Sequence, residues 1–176
     1  MQFNHDNMLG PLLAAELVSL VGRGWETGAA VAALHRFEVR DPHLSEVQSQ
    51  QLREWSTMLR APFEAGDVES ICASLNGLLE AATSRAFLST HDGMKPHLHF
   101  TADHDDVLAR TRAITAGGLA IFAVESAGAQ LGACMRRGCP EVFVDTSRNG
   151  RRAYCSARCG NYEAVRRHRC ATSKIR

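Results

Sequence analysis

The chain has 176 residues, 45% hydrophobic and 22% charged, which suits one ordinary domain with a small appendage and excludes intrinsic disorder. No run of about 18 uninterrupted apolar residues occurs, so no membrane span is expected. The apolar opening segment lacks the basic flank of a secretion signal and is broken by Glu16. The net charge of +1 conceals a division: from Cys134 onward there are 11 Arg and Lys against 3 Asp and Glu, leaving 9 basic and 16 acidic side chains before it. An acidic body joined to a basic tail is the electrostatic footprint of polyanion binding, although basic clusters are as often plain solvated surface.

In chain order, Pro11 to Val21 reads as a first helix, with Leu13, Leu17 and Leu20 at helical spacing and Pro11 in its first turn. Gly22, Gly24 and Gly28 mark a loop around Trp25. A second helix spans Ala29 to Phe37 and ends before Asp41-Pro42. A third, opened by Ser45, carries Val47, Leu52, Trp55 and Leu59 on one side and stops at Pro62. Asp67 caps a fourth, whose stripe is Val68, Ile71, Leu75, Leu78, Leu79 and Ala82. Cys72 falls on that stripe and is expected to be a buried structural cysteine.

The runs AFLST and HLHFT around HDGMK suggest a β-hairpin. His97 and His99 alternate on its second strand, so both leave the same face and form a candidate ligand-binding pair, with His91 and His104 nearby. No acidic or cysteine partner sits at a metal-ligand spacing, which favours the plainer reading of polar strand and loop residues. Thr101-Ala102-Asp103 offers caps for a long helix from about Asp105 to Ala127, with Val107, Leu108, Ile114, Ile121 and Phe122 inward. Gly117-Gly118 in its middle implies a kink or a close helix contact.

The strongest signal is the cysteine pattern. Cys134 and Cys139 enclose four residues, Cys155 and Cys159 enclose three, and fifteen residues separate the pairs. Four thiolates in two short-range pairs are what a closed, structural zinc site requires. Val142 to Val144 and Arg152 to Tyr154 read as strands flanking a turn at Ser147 to Gly150. A helix follows with Ala157, Tyr162, Ala164 and Val165 on one side, Glu163 early and Arg166, Arg167 and Arg169 late. Knuckle, hairpin, then a helix bearing the second cysteine pair is a treble-clef-like layout. Cys170 lies three helical turns beyond Cys159 and is expected to point away from the metal. Paired cysteines outside a disulfide framework make a reducing cytoplasm the expected compartment.

The run FVDTSRNGRRAYCSARCGN, preceded by CMRRGC, resembles the zinc module of the CGNR zinc-finger proteins, and the body before it resembles the helical ABATE domain that accompanies this finger. The resemblance implies Zn2+ held by Cys134, Cys139, Cys155 and Cys159, and the family's Gly-Asn pair at Gly160 and Asn161. Tyr162 stands where the signature ends in Arg. It also implies DNA binding in stress-related transcription regulation.

The expected fold is α+β: residues 1–130 a mainly helical body with a small hairpin, residues 131–176 a treble-clef-like finger with a basic helix. Candidate nucleic-acid contacts are Arg148, Arg151 and Arg152 on the turn and Arg158, Asn161, Arg166, Arg167 and Arg169 on the helix. The body is expected to sense a small-molecule effector or to mediate self-association as a homodimer. The competing reading is a zinc-stabilised protein–protein interaction module without nucleic-acid binding. A metal-dependent hydrolase or deaminase ranks last, because the His-x-Glu signature is absent and HLH at 97–99 lacks a carboxylate; no enzymatic activity is expected.

Overall fold

The computed structural model describes residues 5–82, 87–89, 97–100, 104–127, 130–147 and 149–173. The fold is α+β: helices dominate, with two small antiparallel sheets. The helices are α1 (His5–Arg23), α2 (Thr27–Arg36), α3 (Glu46–Met58), α4 (Ala61–Glu64), α5 (Val68–Ala82), α6 (Val107–Glu125) and α7 (Ala157–Ser173). One sheet pairs β1 (Phe87–Ser89) with β2 (His97–His99), and the other pairs β3 (Leu131–Ala133) with β4 (Val142–Val144).

Two helix starts follow the caps legible in the sequence, at Ser45 and Asp67, and a third, that of α6, has a cap not expected there. Ser45 forms a reciprocal capping box with Gln48, the Asp67 carboxylate accepts from the Ser70 N–H at 2.7 Å, and Asp106 accepts from the Ala109 N–H at 2.8 Å. The cap of α6 is therefore Asp106; the expected caps at 101–103 lie outside the described residues. Two proline readings are corrected. Pro11 sits inside α1 rather than in its first turn, and Pro62 sits in the first turn of α4 rather than ending α3.

The body is built on the crossing of α1 and α6. Gly10 and Gly118 bring the two backbones together there, while Gly117 receives the Phe100 ring, which is the close helix contact that the Gly-Gly pair implied. Leu13 and Leu17 of α1, Leu34 of α2, Leu52 and Trp55 of α3, and Leu119 and Phe122 of α6 fill the centre. Trp55 donates its indole N–H to Thr115 Oγ1 at 3.0 Å, so this buried aromatic has its one donor satisfied. By length and composition α6 could cross a membrane, but half of it is buried in the body, against α1, α3 and α5.

Three stripe assignments are corrected. Cys72 is exposed, and Val47 and Val68 are 68% and 54% exposed. Val47 and Val68 lie in the first turns of α3 and α5. Cys72 lies beside the buried ridge of Ile71, Leu75 and Leu78, about 100° round the helix from Ile71. The hairpin pairs Phe87 with His99, Leu88 with Leu98 and Ser89 with His97; its turn lies outside the described residues.

The second sheet differs from expectation. Leu131–Ala133, read as a connector, is a strand, and it pairs with Val142–Val144 across the Cys134 to Cys139 knuckle. Arg152 to Tyr154 is not a strand; the Met135 N–H bonds to the Ala153 carbonyl and the Arg152 N–H to the Asp145 carboxylate, without forming a ladder. Val142 and Val144 belong to the same hydrophobic cluster as α1, so the core continues across residue 130.

Candidate metal centre

Each cysteine pair is placed by a local device. Cys134 continues the β3–β4 ladder, its N–H donating to the Glu141 carbonyl at 2.9 Å. The chain then reverses: the Cys139 N–H reaches the Arg136 carbonyl at 3.0 Å, and Gly138 adopts φ +75°, a conformation open to glycine at little cost. Cys155 lies just before α7 and Cys159 in its first turn, where the Ser156 hydroxyl accepts from the Cys159 N–H at 3.3 Å.

The four sulfurs converge, all within 4.8 Å of one another. Cys139 Sγ stands 3.8 Å from Cys155 Sγ and 3.9 Å from Cys159 Sγ, and the last two are 3.4 Å apart. Sulfurs bound tetrahedrally at about 2.3 Å from one ion lie about 3.8 Å apart. A disulfide needs about 2.05 Å. The spacing fits a shared ion and excludes a bridge. The Cys155 N–H also points at Cys134 Sγ, 3.4 Å away.

Without a cation the Cys155 and Cys159 thiols are unequal. Burial, followed by neighbouring Cys159, pushes Cys155 up to about 12. The Ser156 hydroxyl, outweighing burial, draws Cys159 down to about 7. A cation among the sulfurs offsets both burial and the mutual repulsion of neighbouring thiolates, and so favours the ionised form. Arg136 is held above its ordinary range by hydrogen bonding to Cys139 and by the charge of Cys159, and its guanidinium lies 5.5 Å over the Tyr162 ring.

Two acids not expected to take part in the site, Glu163 and Asp145, support this centre. Glu163, buried on the α7 face that carries Cys159, accepts from the Arg137 N–H at 3.1 Å and from Arg166 Nε at 2.7 Å. These bonds hold its carboxyl below the usual range. Asp145, also buried, accepts from the N–H groups of Ser147 and Arg152 at 2.9 and 2.8 Å. The signal for Glu163 was present: it is the lone acid of a basic helix, four residues after a ligand.

The candidate nucleic-acid residues divide. Arg152 lies 4.5 Å over the Phe143 ring and donates to the carbonyls of Tyr154 and Cys155, so it braces the approach to the metal cluster. Arg166 is paired with Glu163. Arg151, Arg158, Asn161, Arg167 and Arg169 are exposed, and Arg148 lies outside the described residues. By helical spacing Arg158 and Arg169 share a flank of α7 with Tyr162 and Val165, whereas Arg167 faces another way. His97 and His99 lie on β2, far in sequence from the cysteines, and the structure describes only their backbone. Cys170 is exposed near the end of α7 and, as expected, is not in the sulfur cluster.

No curated protein matches this chain. Residues 130–170, which hold all four clustered cysteines, match the family model of the CGNR zinc finger.

Proposed function

We propose that residues 130–173 form a zinc-stabilised, DNA-binding module of a cytoplasmic transcription regulator, and that the body, in the role of an ABATE-type domain, senses a small-molecule effector or mediates homodimerisation. The all-thiolate donor set and the sulfur spacing support Zn2+. Four thiolates leave no open coordination position, so the ion is structural and the protein is assigned no catalytic role.

The disposition of charge carries the reading. The module's three acids are all engaged: Glu141 with Arg23, Asp145 with backbone N–H groups, and Glu163 with Arg166 and the backbone of Arg137. Arg137, Arg151, Arg158 and Arg167 are exposed. An outward surface of exposed arginines suits phosphate contacts.

The test is binding of random duplex DNA followed by fluorescence anisotropy. Four phosphate contacts weaken affinity about a hundredfold between about 50 and 200 mM salt. Replacing Arg151 and Arg158 with Ala lowers the salt slope by about 2. Absence of binding at about 50 mM salt overturns the DNA reading.

A second reading, a protein–protein interaction module, is favoured by apolar exposure on the same flank. Tyr162 and Val165 are 55% and 51% exposed beside Arg158 and Arg169, a mixture that suits an acidic partner with an apolar centre.

A further inference from the structure

The knuckle is gripped from outside the finger at each of the three residues that follow Cys139. At Pro140, the carbonyl accepts from Arg60 Nη2 at 2.7 Å, and the ring lies so close to Gly22 that a Cβ there would stand 2.3 Å from Pro140 Cβ. At Glu141, the carboxylate is forked by Arg23, Nε at 2.7 Å and Nη2 at 2.5 Å. At Val142, the N–H donates to Ser19 Oγ at 3.3 Å. Arg60 is itself held by Glu64 at 2.9 Å, and Arg23 also touches Glu16 at 3.4 Å. Ser19, Gly22 and Arg23 all lie on the last turns of α1, the helix that packs on α6, β4, α3 and α2.

We infer that Arg23 and Arg60 are positioning residues of the metal centre: the body holds the Cys139 arm where it can ligate, so metal retention is set partly from outside the zinc finger. This rests on the zinc reading above. A metal in a four-sulfur site is lost by detaching one arm at a time, and an arm anchored at three consecutive residues detaches more slowly. Partners outside the coordination shell that orient a ligand commonly change metal affinity about 10- to 100-fold. The coupling is reciprocal: any ligand that shifts the end of α1 changes metal affinity, and the metal changes that ligand's affinity by the same factor.

The experiment uses the full chain loaded with Zn2+ and measures the rate at which a chromophoric chelator removes it. Co2+-loaded protein reports thiolate coordination through its absorption bands. Arg23→Gln, Glu141→Gln and Arg60→Gln are each expected to lose metal about tenfold faster. The Arg23→Gln/Glu141→Gln double variant loses it no faster than the quicker single, because both remove one interaction. The exchange Arg23→Glu with Glu141→Arg restores at least part of the wild-type rate. Arg110→Gln, which breaks bonds from a body arginine to the carbonyls of Arg40 (3.0 Å) and Asp105 (2.5 Å) away from the knuckle and from Glu16, leaves the rate unchanged. A wild-type rate in the Arg23 and Glu141 variants overturns the inference, as does equal acceleration by Arg110→Gln. Wild-type chain that takes up no metal overturns the zinc reading itself; metal-loaded chain indifferent to these substitutions overturns this inference alone.

Discussion

Gly10 and Gly118 touch where α1 crosses α6: a Cβ on Gly118 would stand 2.9 Å from the Gly10 Cα, and one on Gly10 would stand 2.5 Å from the Ile114 carbonyl oxygen. Both obstacles are backbone, so relief requires moving a helix. Gly10→Ala is expected to destabilise the chain by about 1–3 kcal/mol, although alanine in a helix is intrinsically favoured by about 1 kcal/mol. Gly77 of α5 has nothing within 4 Å of its added Cβ. Gly77→Ala is therefore expected to gain up to about 1 kcal/mol. Thermal unfolding of the two variants checks the pair, and a stabilised Gly10→Ala would contradict the close crossing.

Cys155→Ser removes one of four convergent sulfurs. Metal content is expected to fall from about one ion per chain to near zero, with loss of helical signal from α7. Because Val142 and Val144 sit in the body's cluster, chelation should lower the melting of the whole chain in one transition. Calorimetry showing a separate, unshifted body transition would refute that coupling.

A fragment ending at residue 130 lacks both valines and uncovers the α1 face that β4 packs on. Each buried valine contributes about 1.5–3 kcal/mol, the low end being nearer for this small side chain. The fragment is expected to bind an apolar dye and to associate on a sizing column. A monodisperse fragment with a cooperative melt would show that the body completes its core without the strand.

Asp145 supplies a pH dependence with a definite sign. Burial raises its pKa, but the bonds from Ser147 and Arg152 outweigh burial and leave it below the usual range. A carboxyl lowered by folding stabilises the fold above its unfolded pKa of about 4, and that stability is lost as pH falls through the folded value. With parent and variant both loaded with metal, so that proton competition for the thiolates is common to the two and cancels in their difference, Asp145→Asn is expected to cost about 1–2 kcal/mol at neutral pH. Its stability should also vary less with pH below about 4 than that of the parent. Parallel acid curves for the two proteins would remove Asp145 as the cause.

Local chemistry was legible in the sequence, and distant pairing was not. The caps at Ser45 and Asp67 and the helix after Cys155 depend on residues within one turn of each other, and they lie where spacing puts them. The cysteines announce their site because two short loops each deliver two sulfurs. By contrast, Leu131–Ala133 becomes a strand only because Val142–Val144 returns beside it. Three residues of weak β character say nothing alone. The Arg23–Glu141 fork joins side chains 118 positions apart, and neither residue is unusual in its own neighbourhood. Cys72 sat on a stripe by spacing, yet among the described residues it is exposed, because that edge of α5 lies beside the buried ridge rather than on it.

Strand β4 serves two masters, carrying the knuckle at one end and lining the helical cluster along its length. The finger is consequently not a portable cassette. Grafted onto a foreign carrier, residues 130–173 would present Val142 and Val144 to water and leave Glu141 without its fork. A transplant that keeps its grip on metal must bring α1 along, or a surrogate for it.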